Sequence, residues 1–308
     1  MSASRHVLLG GHGVVGRETA RALRARGHDP VTVGRRPVTE GDGSSVVADL
    51  LDGDDVRRAL RGADVAYLVA GLPYSTRMWR EQWPTVVRHA ARAALDEGVH
   101  LVHLDNVYAY GPVDGPMTEE TPLRPTSRKG AVRAEALGQL DALRSRGLTV
   151  TTARSADFYG PGPATSAFQG FVVDRVVAGK RPTWLLDADQ PHSLTYTPDV
   201  GDALAVLGTD ERARGRTWHV PTAPPLTGRE WGELAGVAPD RMSVMSLATL
   251  RLGALFAPAA RETLELTYQS TAPYVFDSSR ASRELGLTAT PASVGVAATL
   301  EHARAVAR

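Results

Sequence analysis

The chain has 308 residues, enough for one large α/β unit or a larger domain with a smaller cap. Apolar residues make up 43 % and charged residues 22 %, and the net charge is +1, so no global field favours nucleic acid or an acidic membrane as a partner. The absence of cysteine excludes disulfides, thiolate nucleophiles and cysteine-bound zinc.

No apolar run approaches the roughly 18–20 residues of a membrane helix. An apolar strand begins after only Met1–His6, which leaves no length for a signal peptide, so a cytoplasmic protein is expected. In chain order, Val7–Leu9 reads as a strand and Arg17–Arg26, ended by Gly27, as a helix. Val31–Val33 and Ser45–Ala48 read as strands, Asp54–Arg61 as a helix and Val65–Ala70 as a strand. A long helix is predicted over Thr85–Glu97, then a strand over Val99–Leu104. A helix over Arg128–Arg144 and a strand over Leu148–Ala153 complete the series. Strands alternating with helices of this length predict βαβ crossovers and a parallel sheet. The strands are continuous apolar runs, as a sheet covered on both faces requires. Beyond about residue 160 the texture changes. Pro161, Gly162, Pro163, Pro182, Pro191 and Pro198 crowd the chain, and Pro221–Pro225 and Ala257–Pro258 read as loops. Ser193–Thr197 is expected to return a strand to the sheet.

Gly10, Gly13 and Gly16 form a G-x-x-G-x-x-G between the first strand and the first helix. Glycines there permit a tight turn and close approach to a pyrophosphate, and the helix start offers free N–H groups. Beside these glycines, Val14, Val15, Leu50, Ala70, Gly71 and Lys129 are candidate cofactor contacts. An NAD-preferring site carries a carboxylate at the end of the second strand, for the ribose 2′-hydroxyl. Here that position is Gly34, followed by Arg35 and Arg36, two guanidiniums suited to a 2′-phosphate. The expected cofactor is therefore NADP(H). Asp49, after the third strand, suits either the adenine amino group or an ordinary turn. The expected architecture is α/β, a doubly wound parallel sheet of the Rossmann type with a smaller C-terminal substrate-binding cap. Residues 1–160 would form the dinucleotide-binding domain, with 190–220 returning to it, and 161–189 and 221–308 mainly the cap.

Gly10–Gly16, Asp49, Tyr110-Gly111, Arg154–Gly162 and Thr197–Ala203 together resemble the extended short-chain dehydrogenase/reductases, the NAD-dependent epimerase/dehydratase family. The resemblance spans nearly the whole chain and implies an active site between sheet and cap. Its catalytic set would be Ser or Thr with Tyr-x-x-x-Lys. Lys129 fits the lysine, but the tyrosine position holds Pro125 and the serine position Asn106. The chain thus looks like an atypical member. In it Lys129, one of only two lysines among 35 basic residues, would hold the nicotinamide ribose.

A reduction still needs a proton or a strong hydrogen bond at the reacting oxygen. Tyr108, two residues past Asn106, is the first candidate donor, and Tyr74 is the second. Asn106 can donate its amide, and Asp105 can act as a base if partly buried. Tyr110 is expected to pack. Trp79 is a candidate substrate contact, whereas Trp83 is expected to pack in a helix and His192 to sit in a polar loop. No His/Asp/Glu set has metal spacing, and Ser155 and Ser193 lack a nucleophile elbow. The leading expectation is an NADPH-dependent reductase of a small carbonyl or conjugated substrate. The alternatives are an epimerase, dehydratase or isomerase that retains its cofactor, and a non-catalytic NADP(H) sensor. A small-molecule substrate is the expected partner, and a homodimer is left open.

Overall fold

The computed structural model describes residues 4–36, 43–162 and 166–308; Met1–Ala3 and Pro163 lie outside them. The first half alternates strictly. In order it contains β1 (His6–Leu9), α1 (Val14–Ala25), β2 (Val31–Gly34), β3 (Ser45–Val47), α2 (Gly53–Leu60), β4 (Val65–Leu68), α3 (Thr76–Glu97), β5 (His100–Asn106), α4 (Arg128–Arg144) and β6 (Val150–Ser155). Short elements follow: β7 (Asp157–Tyr159), α5 (Asp174–Val177), β8 (Thr183–Leu185), β9 (Pro191–His192) and β10 (Leu194–Tyr196). Then come α6 (Thr197–Thr209), β11 (Thr217–His219), β12 (Leu226–Thr227), α7 (Gly228–Leu234), β13 (Ser243–Met245), α8 (Leu247–Phe256) and α9 (Pro258–Thr263). A 3₁₀ segment over Leu264–Ser270 precedes α10 (Ser279–Leu285) and α11 (Ala292–Val306).

Seven parallel strands form the main sheet in the order β3-β2-β1-β4-β5-β6-β11. The doubly wound α/β architecture read from the sequence is confirmed. Alternation along each strand feeds two cores. Val7, Leu9, Ala66, Leu68 and Leu101 pack against α2, α3 and α4. Leu8, Val65, Tyr67, Val102 and Ala153 pack against α1, α6 and Trp218. A third core, around Tyr159, Phe168, Trp231 and Val296, lies among the later elements.

Two expectations need correction. Helix α3 begins at Thr76, not Thr85, and runs through Pro84. An interior proline costs a backbone hydrogen bond and usually marks a helix boundary. Here the Ser75 side chain caps the N–H of Met78, and Trp79 and Trp83, one turn apart, are both buried. That packing outweighs the proline. The second correction concerns Ser193–Thr197. Strand β10 pairs with β7 in a separate parallel ribbon, and β11 is the strand that returns to the main sheet. The chain breaks away after β6 at Ala156, whose N–H donates to Thr195 Oγ1 at 3.1 Å instead of continuing the ladder. The free edge of β7 then takes β10.

Helices α1 and α6 cross at a glycine. A Cβ on Gly201 would sit 2.5 Å from the backbone carbon of Glu18, which no side-chain rotation relieves. Gly201→Ala should therefore destabilise the fold by about 1–3 kcal/mol in urea unfolding. Gly138→Ala, exposed within α4 with open space about it, should instead stabilise by about 0.5–1 kcal/mol.

Candidate active site

The glycine loop sits between β1 and α1 as its sequence requires. Gly10 has φ +90° and backs onto Ala70, whose backbone would collide with any Cβ there. A Cβ on Gly16 would lie 2.5 Å from Gly11 O. Gly13 caps α1 without any side-chain acceptor, so the first-turn amides of Val14, Val15 and Gly16 are left for an external anion. This cradle fits a dinucleotide pyrophosphate. Arg35 and Arg36 are exposed at the end of β2. Gly34 must lack a side chain for a reason the sequence did not reveal: the His12 ring occupies that space, with Nε2 3.2 Å from Ser45 Oγ. Arg17 Nη1 donates to His12 O at 2.7 Å, which brings another cation to the loop. Asp49 Oδ1 accepts the N–H of Leu51 at 3.0 Å, the turn role. Leu50 is half-buried and Gly71 exposed.

Strand β5 ends in a buried ionic knot. The Asp105 carboxylate takes Arg133 Nε at 2.7 Å and Arg154 Nε at 3.3 Å. Burial alone would raise its pKa, but the two guanidiniums hold it below the usual carboxylate value. Both oxygens of the carboxylate considered from the sequence as a base are thus engaged by guanidiniums. Arg154 Nη1 also donates to the Tyr110 hydroxyl at 2.8 Å, and that hydroxyl lies 2.8 Å from His219 Nε2. His219 Nδ1 faces Asp277 O at 2.7 Å. Burial pushes the His219 pKa down to about 3. The neutral ring therefore donates once, to the carbonyl, and accepts once, from tyrosine. Tyr110 thus packs within the framework.

Tyr108 has different surroundings. Its ring stacks on Trp79 at 6.1 Å and 17°, and its hydroxyl lies within electrostatic reach of that of Tyr74. Trp79 is itself buried, so it backs Tyr108. Arg133 lies over Trp83 at 4.4 Å, which also packs as expected. Asn106 Oδ1 accepts the N–H of Tyr108 at 3.1 Å, which leaves its amide NH₂ without a partner among the described residues. Burial raises both tyrosine hydroxyls above their ordinary pKa.

Lys129 is wholly buried, and its ammonium lies 4.4 Å above the Tyr74 ring centre. It donates to Glu262 Oε2 at 2.5 Å, Glu262 O at 3.0 Å and Glu265 Oε1 at 2.7 Å. Those three acceptors match the three donors of an ammonium. The same carboxylates cap two helices. Glu262 Oε2 accepts from Thr76 N and Oγ1 at 2.9 and 2.6 Å, and Glu265 Oε2 accepts from Arg128 N at 2.8 Å. The sequence placed Lys129 in the site but gave no sign of these partners, which lie more than 130 residues on.

His192 is buried in β9, not in a polar loop, with Nε2 3.2 Å from Asp157 Oδ2. Asp157 lies within electrostatic reach of the hydroxyls of Tyr74, Tyr108, Tyr268 and Tyr274. The Tyr268 and Tyr274 hydroxyls are buried without a partner among the described residues.

A family model for the NAD dependent epimerase/dehydratase family matches residues 6–220. The chain belongs to that family. The resemblance read from its motifs is thereby confirmed. Among curated proteins, it is 28 % identical over 270 residues to a 3-diazoavenalumate denitrifying reductase of a Streptomyces species, covering 81 % of this chain and 87 % of the relative. It is 27 % identical over 282 residues to a dTDP-4-dehydrorhamnose reductase of Streptomyces griseus, covering 86 % of each. The crystal structure of a dTDP-glucose 4,6-dehydratase from Streptomyces venezuelae, with NAD bound, superposes with a TM-score of 0.77 at 21 % identity, over 98 % of this chain and 97 % of that one. These relatives are enzymes. No described helix is long and apolar enough to cross a membrane.

The lysine node makes a stability prediction. Lys129→Met strands two carboxylates and should cost about 3–5 kcal/mol in urea unfolding. Burial would raise the Glu262 carboxyl, but hydrogen bonds from Lys129 and Thr76 outweigh it and hold its pKa below the ordinary value. Its contribution is thus complete at neutral pH and is lost as pH falls through the folded-state value. Glu262→Gln should make stability less dependent on pH across the acid range.

Proposed function

We propose that this family member is an NADP(H)-dependent oxidoreductase that reduces a small carbonyl or conjugated substrate by hydride transfer. The observation that carries the reading is the hydroxyl pair of Tyr108 and Tyr74, held by Trp79 and Lys129 at the carboxyl end of β5. Ligands of open α/β sheets bind at that edge. The pair offers an acid where Pro125 removes the usual one.

When bound, the reduced nicotinamide supplies the hydride. The chain's own residues supply the rest. Amides of Val14, Val15 and Gly16 would hold the diphosphate. Arg35 and Arg36 would meet a 2′-phosphate, with no carboxylate at Gly34 to oppose it. Tyr108 would give its proton to the atom that gains charge, and the Asn106 amide would donate a hydrogen bond beside it. Two features favour a small aromatic substrate. Tyr74, Tyr108, Tyr268 and Tyr274 gather within electrostatic reach of Asp157, and that carboxylate opposes an anionic diphosphate. The named activities of the two curated relatives are reductions, one on 3-diazoavenalumate and one on dTDP-4-dehydrorhamnose. That supports net redox over a redox-neutral cycle.

Calorimetric titration should show NADPH binding at least tenfold tighter than NADH, about 1.4 kcal/mol. The Arg35→Ser/Arg36→Ser double variant should erase the difference. Cinnamaldehyde, phenanthrenequinone and benzenediazonium are suitable first probes, followed by loss of nicotinamide absorbance. Tyr108→Phe should lower kcat by roughly 100-fold with a productive probe. Equal affinity for both dinucleotides would refute the NADP(H) assignment.

A further inference from the structure

The niche at the end of β2 is filled by a side chain from another element. The glycine loop is tied to that strand end, because the N–H groups of Gly10 and Gly11 both donate to Val33 O at 3.0 Å. The tie brings His12 over Gly34. A Cβ built on Gly34 would lie 2.3, 2.6 and 2.9 Å from Nδ1, Cε1 and Cγ of His12. The three distances are too alike for an edge-on approach, so the imidazole presents its face to Gly34. Gly34 is not among the glycines with positive φ. It is therefore the ring, and not backbone strain, that requires glycine there.

His12 is held at two points. Arg17 Nη1 donates to its carbonyl at 2.7 Å, and its Nε2 lies 3.2 Å from Ser45 Oγ. Ser45 opens β3 and pairs in register with Thr32 of β2, so the anchor belongs to the sheet. Nδ1 has no hydrogen-bond partner among the described residues, and the side chain is only half-buried. In open α/β sheets the end of the second strand is where the adenosine ribose is read. A carboxylate that bonds a free 2′-hydroxyl would project from residue 34, and the His12 ring fills the space it would need. A hydrogen-bonding nitrogen stands there instead.

We propose that His12 is the specificity residue of this cofactor site: its ring excludes a side chain at position 34, and its Nδ1 donates to the 2′-phosphate of NADP(H). The inference rests on the NADP(H) reading above. Phosphate oxygens only accept, so binding selects the tautomer with the proton on Nδ1, and the Ser45 hydroxyl then donates to Nε2. Arg35 and Arg36 are exposed and supply charge. The imidazole, fixed between Ser45 and the loop, supplies direction. A hydrogen bond to an ionised phosphate is about twice as strong as one between neutral groups. NADH has no such phosphate, so the whole of this bond counts as selectivity.

The test is equilibrium affinity for NADPH and for NADH, measured by calorimetry on the full chain, and it needs no substrate. His12→Ala should weaken NADPH binding about tenfold and leave NADH within about twofold. Gly34→Ala adds a methyl and no charge, yet should displace the ring and lower NADPH affinity by a similar factor. With the ring gone the methyl has room, so the double variant His12→Ala/Gly34→Ala should bind NADPH no more weakly than His12→Ala alone. Ser45→Ala, which frees the ring, should cost NADPH roughly two- to fivefold. Unchanged NADH affinity in these variants shows that the glycine loop still holds the diphosphate. An equal loss for both dinucleotides in His12→Ala marks a merely structural ring and overturns the proposal. Additive losses in the double variant overturn the steric part. If the wild type prefers NADPH and His12→Ala keeps that preference, this inference fails and the NADP(H) reading stands. If the wild type binds both dinucleotides equally, both fail.

Discussion

The crevice depends on one ammonium ion placed between two carboxylates. Lys129 enters from the first turn of α4, and Glu262 and Glu265 come from α9 and the 3₁₀ segment that follows it. An ammonium removed from water costs several kcal/mol unless all its donors find partners. Here all three do. The carboxylates face the positive ends of α3 and α4, which lowers the cost of burying them as well. One cluster thereby fixes the start of α3, the start of α4 and the distance between the later chain and the sheet. Tyr74 lies directly under the ammonium and just before α3, so the tyrosine pair takes its position from this charge.

A second buried charge cluster lies at the end of β5. Asp105, Arg133 and Arg154 neutralise one another only in part, because two guanidiniums share one carboxylate. The excess positive charge is spread over aromatic faces. Arg133 lies on Trp83 and Arg154 on the Tyr110 ring at 4.8 Å. Burial keeps the neighbouring histidines neutral, with His103 pushed down to about 4 and His219 to about 3. These uncharged rings can border guanidiniums without repelling them. The result is a rigid end to β5, from which Asn106 and Tyr108 reach the crevice.

Local signals made the sheet legible. The glycine loop, the apolar runs of β1, β4 and β5 and the bounds of α4 were all readable because each is set by residues close in sequence. The misjudged start of α3 shows the limit. Pro84 is a strong local breaker, and only the burial of Trp79 and Trp83 against the sheet overrides it. The site was legible in part. Lys129, Tyr108 and Tyr74 were singled out by residue type and position. What surrounds them was not, because Glu262, Glu265, Tyr268 and Tyr274 come from a segment with no periodic pattern and no motif. Asp157 was visible inside Arg154–Gly162, but its pairing with His192 depends on how β7 leaves the sheet. His12 escaped notice because the absence of a carboxylate at Gly34 has two causes. The phosphate reading needs no acid there, and the His12 ring needs the space a side chain would fill.

Pro125, at the position where the resemblance would put a tyrosine, has a structural setting of its own. Ser127 caps α4 by accepting the N–H of Gly130 at 3.0 Å, so Pro125 lies two residues before the cap. A Tyr-x-x-x-Lys pair meets one turn apart along a helix, and residue 125 is not helical. The segment at Arg124 and Pro125 is pressed against Gly111 and Gly130. A Cβ on Gly130 would lie 3.0 Å from Pro125 Cβ, and one on Gly111 would run into Arg124 O. A tyrosine placed at 125 would therefore not pair with Lys129 along a helix without rebuilding this contact. All three donors of the lysine are committed to Glu262 and Glu265 as well. Within the proposed reduction, acid chemistry at this sheet edge then falls to groups from other elements: Tyr108 after β5 and Tyr74 before α3.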